Sequence, residues 1–215
     1  YSHLALADQP ADQMSTIVGL TAIQRNKFDD ILTQISARRN TICCHLANSA
    51  GMMRGGTLHY DMVRVGLALY GYSPLSDLNP DLSLEPALTV KARITFIREV
   101  PKGTGVGYGH TFTTTRKSRL AVVAIGYADG VSRSLSGKIS AVIDGVLVPQ
   151  VGSIAMDQLV LDITDHPSIK VGSVATILGK DGNVYISPKK WTQLSDLILW
   201  EVLCGFKHRL PRLVT

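Results

Sequence analysis

The sequence is poor in cysteine, with three among 215 residues. Cys43 and Cys44 are neighbours, Cys204 is remote, and no C-x-x-C spacing occurs. A disulfide framework and a zinc ribbon are therefore excluded, no metal is expected, and reduced cytosolic thiols fit best. No apolar run reaches the roughly 18 residues of a membrane span. No signal peptide is visible either, so a cytoplasmic protein with no membrane partner is expected. Positive charge is nowhere concentrated: 22 Lys and Arg against 17 Asp and Glu leave +5. Apart from a loose tail at Lys207, His208, Arg209 and Arg212, these residues are scattered. Nucleic-acid binding normally needs one basic face, so no nucleic-acid partner is expected. A small anionic ligand needs only one or two well-placed cations. An initiator Met is also lacking: the chain opens on Tyr1-Ser2-His3-Leu4-Ala5-Leu6-Ala7 and reads as a piece of a longer protein.

What is present is globular in composition, 45% hydrophobic and 18% charged. The first stretch alternates strand and helix signals. His3–Ala7, Thr41–Leu46 and Val63–Tyr70 read as strands. Residues 12–38 carry Ile17, Leu20, Ile23, Phe28, Ile31, Leu32 and Ile35 at helical spacing. Such alternation predicts β-α units and a parallel sheet, and three strands are too few to cover one. Residues 73–86, rich in Pro, Ser, Asp and Asn, mark a domain boundary. Beyond it, strands are predicted at Leu88–Arg98, Leu120–Ile125, Ile139–Ile143, Val146–Val148, Leu159–Ile163, Val174–Ile177 and Val184–Ile186. Asp144-Gly145 reads as a hairpin turn, and a late helix starts at Ser187 and runs to Ile198.

Four segments carry candidate chemistry. His45-Leu46-Ala47-Asn48-Ser49-Ala50 puts small and polar groups after an apolar strand, where barrels place their sites. A loop satisfying its own backbone is the ordinary reading. Arg64 in Val63–Gly71 needs a partner if buried, and Gly66 would let a ligand near the backbone amides. An exposed edge is the alternative. Gly105-Val106-Gly107-Tyr108-Gly109-His110-Thr111 presents a Tyr between glycines; a surface turn is the commoner explanation. In Val151-Gly152-Ser153-Ile154-Ala155-Met156-Asp157-Gln158, Met156 and Asp157 read alone as packing and turn residues.

Taken together and in this order, with Ala124–Gly130 (AIGYADG) and 200–212 (WEVLCGFKHRLPR), these motifs resemble the bacterial alanine racemases, fold-type III pyridoxal-phosphate enzymes. The resemblance implies α/β followed by mostly β. Residues 1–80 would be the last strands of a (β/α)8 TIM-type barrel, and 86–215 a C-terminal β-domain. It implies that Ser49, Gly66 and Leu67 hold the cofactor phosphate, that Arg64 faces the pyridine nitrogen supported by His45, and that Asn48 lies near the ring hydroxyl. It makes Tyr108 the second catalytic base, shared across a homodimer interface, and gives the Met156 amide to the substrate carboxylate. Tyr127, Arg133 and Asp157 would line the access corridor. The implied reaction interconverts L- and D-alanine and supplies peptidoglycan.

The chemistry agrees. Racemisation needs a proton taken from one face of the α-carbon and returned to the other, which two opposed bases achieve. An unperturbed tyrosine is a poor base near neutral pH, so cations or the cofactor must assist it. The family's lysine motif is absent from these residues, so this chain alone is expected to be inactive. Trp200 stands where the family usually has a phosphate-contacting Tyr, and an indole offers only one donor. Ser153 replaces a commonly basic residue of the access corridor. The rivals are a serine or broad-specificity racemase, a barrel-only cofactor-binding protein, which residues 86–215 argue against, and a catalytically silent fragment.

Overall fold

In the computed structural model, residues 1–9, 14–75 and 83–214 are described, with 14–18 given as backbone only. Asp12, at the start of the predicted helix, and residues 76–82, half of the predicted boundary segment, lie outside them. The chain divides into two compact units, Tyr1–Ala87 and Leu88–Thr215.

In the first unit, helix α1 spans Met14–Gln34. It buries Phe28, whose ring meets Tyr60 edge-on at 5.0 Å. Leu20, Ile23 and Ile31 on the same helix are exposed. Helix α2, Ser49–Arg54, starts at an Asn48 cap whose side chain accepts the Gly51 amide at 2.9 Å. Leu4, Ala7, Phe28, Cys44, Leu46, Ala47 and Leu58 form the core.

The three strands predicted here do not form. Their residues run as extended chain and turns, joined by isolated bonds. Ser2 N donates to His45 O at 3.3 Å, Asp61 N to Cys44 O at 3.0 Å and Arg64 N to Ala47 O at 2.9 Å. A parallel ladder needs donors from both neighbours in turn. Here side chains intercept them: the Asp61 carboxylate takes the Cys44 amide at 2.8 Å, and Ser49 Oγ takes the Gly66 amide at 2.9 Å. Asp61 is also held bidentately by Arg39 at 2.7 and 2.9 Å. After Gly66 the chain turns into a 3₁₀ turn, Leu67–Tyr70.

The second unit follows the β reading closely. Its strands are β1 Val90–Val100, β2 Gly105–Val106, β3 Phe112–Thr113, β4 Ser118–Val123, β5 Ser140–Ile143, β6 Val146–Val151, β7 Leu159–Asp162, β8 Val174–Asp181 and β9 Val184–Ile186. The antiparallel order is β1-β4-β7-β6-β5-β8-β9, with β1 also paired to β8. Val90–Arg93 pairs with β8, and Ile94–Val100 pairs with β4 across an irregularity between Ile94 and Phe96. The sheet thereby closes into a barrel, with β9 extending β8 as a hairpin. Ile94, Val123, Leu161, Ile143, Val148 and Ile177 fill its core. Asp144 and Gly145 both take positive φ, joining β5 to β6 by a two-residue turn.

The late helix is two helices, α3 Pro188–Leu194 and α4 Leu199–Gly205. The break follows from two side chains. Ser195 Oγ donates to Trp191 O at 2.7 Å as the first helix ends, and Glu201 accepts the Ile198 amide at 3.0 Å as the second begins. The short hairpin β2–β3 lies outside the barrel sheet and carries Tyr108 at its tip. Among the described residues no helix is long and apolar enough to cross a membrane.

Candidate functional site

Each unit carries its own set of candidates. In the first, the half-buried Arg64 guanidinium reaches back across both neighbouring extended segments. Nη1 meets His45 Nδ1 at 2.7 Å; Nη2 donates to Ser2 O at 2.9 Å and Leu46 O at 3.2 Å, and meets His3 Nδ1 at 3.1 Å. The Tyr1 ring stacks on His45 and lies 5.2 Å below the guanidinium. Among the described residues no carboxylate pairs with Arg64. Arginine keeps its proton at any working pH, so it donates and the His45 Nδ1 lone pair accepts. Loss of solvent, then the Arg64 charge, holds the His45 imidazole below its ordinary value.

For an imidazole so depressed, the unfolded chain binds the proton more readily. The associated stability is present above the ordinary imidazole value and lost as pH falls through the lower folded-state value. In an NMR titration His45 should lose its proton below the ordinary range. With Arg64→Gln its midpoint should rise only part of the way, because the larger cause, desolvation, remains. A midpoint that ignored the substitution would mean the pair does not persist in solution.

Ser49, 6% exposed, gathers a second set of donors. Its Oγ accepts the Gly66 amide at 2.9 Å and the Ala68 amide at 3.4 Å, and keeps its own proton to give. The Leu67 amide has no hydrogen bond among the described residues. A Cβ on Gly66 would meet nothing within 4 Å. A hydroxyl and successive amides beside open space suit a phosphate. Asn48 is engaged in structure, capping α2 and reaching Leu4 O at 3.5 Å.

In the second unit, Tyr108 stands 72% exposed on the β2–β3 tip, between Gly107 and Gly109 at φ 69° and 71°. Its hydroxyl has no partner among the described residues. Tyr127 and Met156 belong to one arrangement: Tyr127 N donates to Ala155 O at 3.0 Å and Ala128 N to Met156 O at 2.9 Å. The Met156 amide has no bond among the described residues and can receive an anion's oxygen. Asp157 is exposed beside it and attracts Arg209. Arg133 is exposed, and its carbonyl accepts Ser136 Oγ at 2.6 Å; Ser136 Oγ in turn accepts the Ile154 amide at 2.9 Å. Trp200 is 41% exposed on α4.

Sequence reasoning gave no role to His3, Asp129 or Arg209. Asp129 is a buried carboxylate that accepts Gly126 N at 2.9 Å and Arg209 Nε at 2.8 Å, tying the Tyr127 turn to the basic tail. That bond raises the Arg209 guanidinium above its ordinary value. The partners are far apart in sequence, and no local pattern announces them.

Residues 87–214 match the family described as "Alanine racemase, C-terminal domain", and residues 1–74 match "Alanine racemase, N-terminal domain". The chain is 58% identical over 214 residues to an alanine racemase of Prochlorococcus marinus, covering 100% of itself and 55% of that protein. It is 48% identical to one of Nostoc over 213 residues, covering 99% of itself and 54% of the relative. Among solved structures it resembles alanine racemase from Streptomyces lavendulae at TM-score 0.81 and 33% identity, covering 98% of this chain and 54% of that one. The Bartonella henselae enzyme, solved with covalently bound pyridoxal phosphate, gives TM-score 0.76 and 29% identity, covering 98% and 55%. The chain thus spans about half the length of the relatives it matches.

Proposed function

The chain belongs to the alanine racemase family, and we propose that it supplies the phosphate cradle, the pyridine-facing arginine and one of two proton-transferring bases of a pyridoxal-phosphate racemase for alanine. The observation that carries this reading is Arg64: a permanent cation held by His45 and main-chain carbonyls, with no carboxylate to neutralise it among the described residues. The donor set around Ser49, Gly66 and Leu67 fits the cofactor phosphate, and Arg64 fits its ring nitrogen. Asn48 lies next to Ser49, near where the ring hydroxyl belongs. When bound, the cofactor withdraws electrons from the substrate α-carbon and acidifies its proton.

The residues of this chain then divide the work. Tyr108 Oη takes the α-proton of L-alanine, or returns it, on one face; a lysine from a segment joined to this chain acts on the other. Arg64 cannot hand its proton to the ring nitrogen. It keeps that nitrogen unprotonated, which moderates electron withdrawal and favours return of the proton over transamination. The Met156 amide donates to the substrate carboxylate, while Tyr127, Arg133 and Asp157 line the way in. Residues 1–80 complete a (β/α)8 barrel with the lysine-bearing segment. Tyr108 serves the site of a second copy in a homodimer. The enzyme works in the cytoplasm and feeds D-alanine to peptidoglycan.

Loaded with pyridoxal phosphate and treated with borohydride, the 215 residues alone should fix no cofactor and racemise nothing. Joined to the lysine-bearing segment they should interconvert the alanine enantiomers faster than those of serine. Preference for serine would move the substrate assignment. A lysine of this chain fixed by borohydride would overturn the division of labour.

A further inference from the structure

We propose that Ser153 is a positioning residue for Tyr108, its hydroxyl holding the hairpin tip so that the phenol meets the α-proton in line; this rests on the reading of Tyr108 as a base. The tip has little stiffness of its own. The two-residue strands pair Gly105 with Thr113 and Val106 with Phe112, and the bonds of Thr114 to Gly103 and Thr104 close the base of the hairpin, leaving the tip beyond Val106 outside the ladder. Gly107, Gly109 and His110 all take positive φ, and a single bond at 3.3 Å, His110 N to Gly107 O, closes the turn. With 72% of Tyr108 exposed, packing does little to fix its ring, so the phenol goes where its backbone goes.

Ser153 supplies what the tip lacks. It is 7% exposed and lies two residues beyond the end of β6. Its Oγ donates to Tyr108 O at 2.8 Å and lies 3.2 Å from Thr111 Oγ1, so one hydroxyl holds both ends of the turn. The main chain is fitted just as closely. A Cβ on Gly107 would sit 3.2 Å from Ser153 N, and one on Gly152 would sit 2.7 Å from Val106 O. The support itself is rigid: buried Gln150 donates to Val151 O and Gly152 O, each at 2.9 Å, and accepts the Gly137 amide at 2.6 Å. A base displaced by about 1 Å can lose up to a hundredfold in rate.

Because the two enantiomers are equal in free energy, kcat/KM must fall alike in both directions, so net racemisation cannot reveal which face is impaired. Loss of the α-proton to heavy water can, because each enantiomer begins with a different base. In the cofactor-loaded full-length enzyme, Ser153→Ala should slow α-proton loss from L-alanine by about tenfold or more. Loss from D-alanine should change far less. Ser153→Thr, which keeps the hydroxyl, should restore most of the rate. If Ser153→Ala does not fold, Thr111→Val at an exposed position should give a smaller loss on the same side. Equal slowing of both enantiomers, or none, would overturn the inference provided that Tyr108→Phe remains selective for L-alanine. An unselective Tyr108→Phe would overturn the reading of Tyr108 itself, and the inference with it.

Discussion

Replacing Tyr108 by Phe in the complete enzyme is expected to slow α-proton removal from L-alanine by about a hundred- to ten-thousandfold, the usual contribution of a positioned acid–base group. The substitution deletes one oxygen from a ring that is 72% exposed. The hairpin is closed by bonds that do not use that oxygen, including Gly103 N to Thr114 O at 2.7 Å and Thr104 N to Thr114 Oγ1 at 2.9 Å. Fold and cofactor content should therefore be unchanged, and both can be measured on the same sample. Proton loss from D-alanine, assigned under the proposed function to the other base, should survive much better. Wild-type-like loss from both enantiomers would remove Tyr108 as a base.

The second large effect is expected on stability, at Gly126. This residue has φ −151°, extended backbone that any amino acid adopts, so space alone forbids a side chain. An added Cβ would overlap the Ala155 carbonyl oxygen and lie 2.6 Å from the Met156 carbonyl carbon. These are main-chain atoms, and the Ala155 and Met156 carbonyl oxygens accept from Tyr127 N and Ala128 N. Gly126→Ala must part the two loops and strain those bonds as well as the Asp129 contact. A cost of about 3 kcal/mol is expected, near the upper end for overpacking. For a unit of this size that is roughly 10 °C in melting temperature. If the Met156 amide holds the substrate carboxylate as proposed, alanine binding should weaken too, since that amide moves with its loop. Gly137→Ala is the control: it has φ 71° but nothing within 4 Å of an added Cβ. It should cost only about 1 kcal/mol, through backbone conformation. Similar melting temperatures for the two variants would mean that the loops part easily.

The β unit was legible because its chemistry is local. Strands such as Leu159–Asp162 alternate buried and half-buried residues, and Asp144-Gly145 marks its own turn. The two-residue strands flanking Tyr108 are too short to show any period. In the first unit, Val63–Tyr70 has the composition of a buried strand, yet amides on this stretch bond to Ser49, seventeen and nineteen residues away in sequence. No pattern within the stretch records that competition. The same holds for the candidate sites. His45, Ser49 and Arg64 stand out as polar groups in apolar surroundings, whereas Asp129 with Arg209, or His3 with Arg64, meet only after folding.

The double pairing of β1 sets an order on synthesis. Its second half can zip to β4 as soon as that strand leaves the ribosome, but its first half must wait for β8, which emerges much later. The last closure is therefore between the segments most distant along the chain, the kind of contact that slows folding. In the interval, Val90–Arg93 is a bare template for a stray strand. Lys91 and Arg93, both exposed, put two charges along that edge, the usual guard against pairing with the wrong chain.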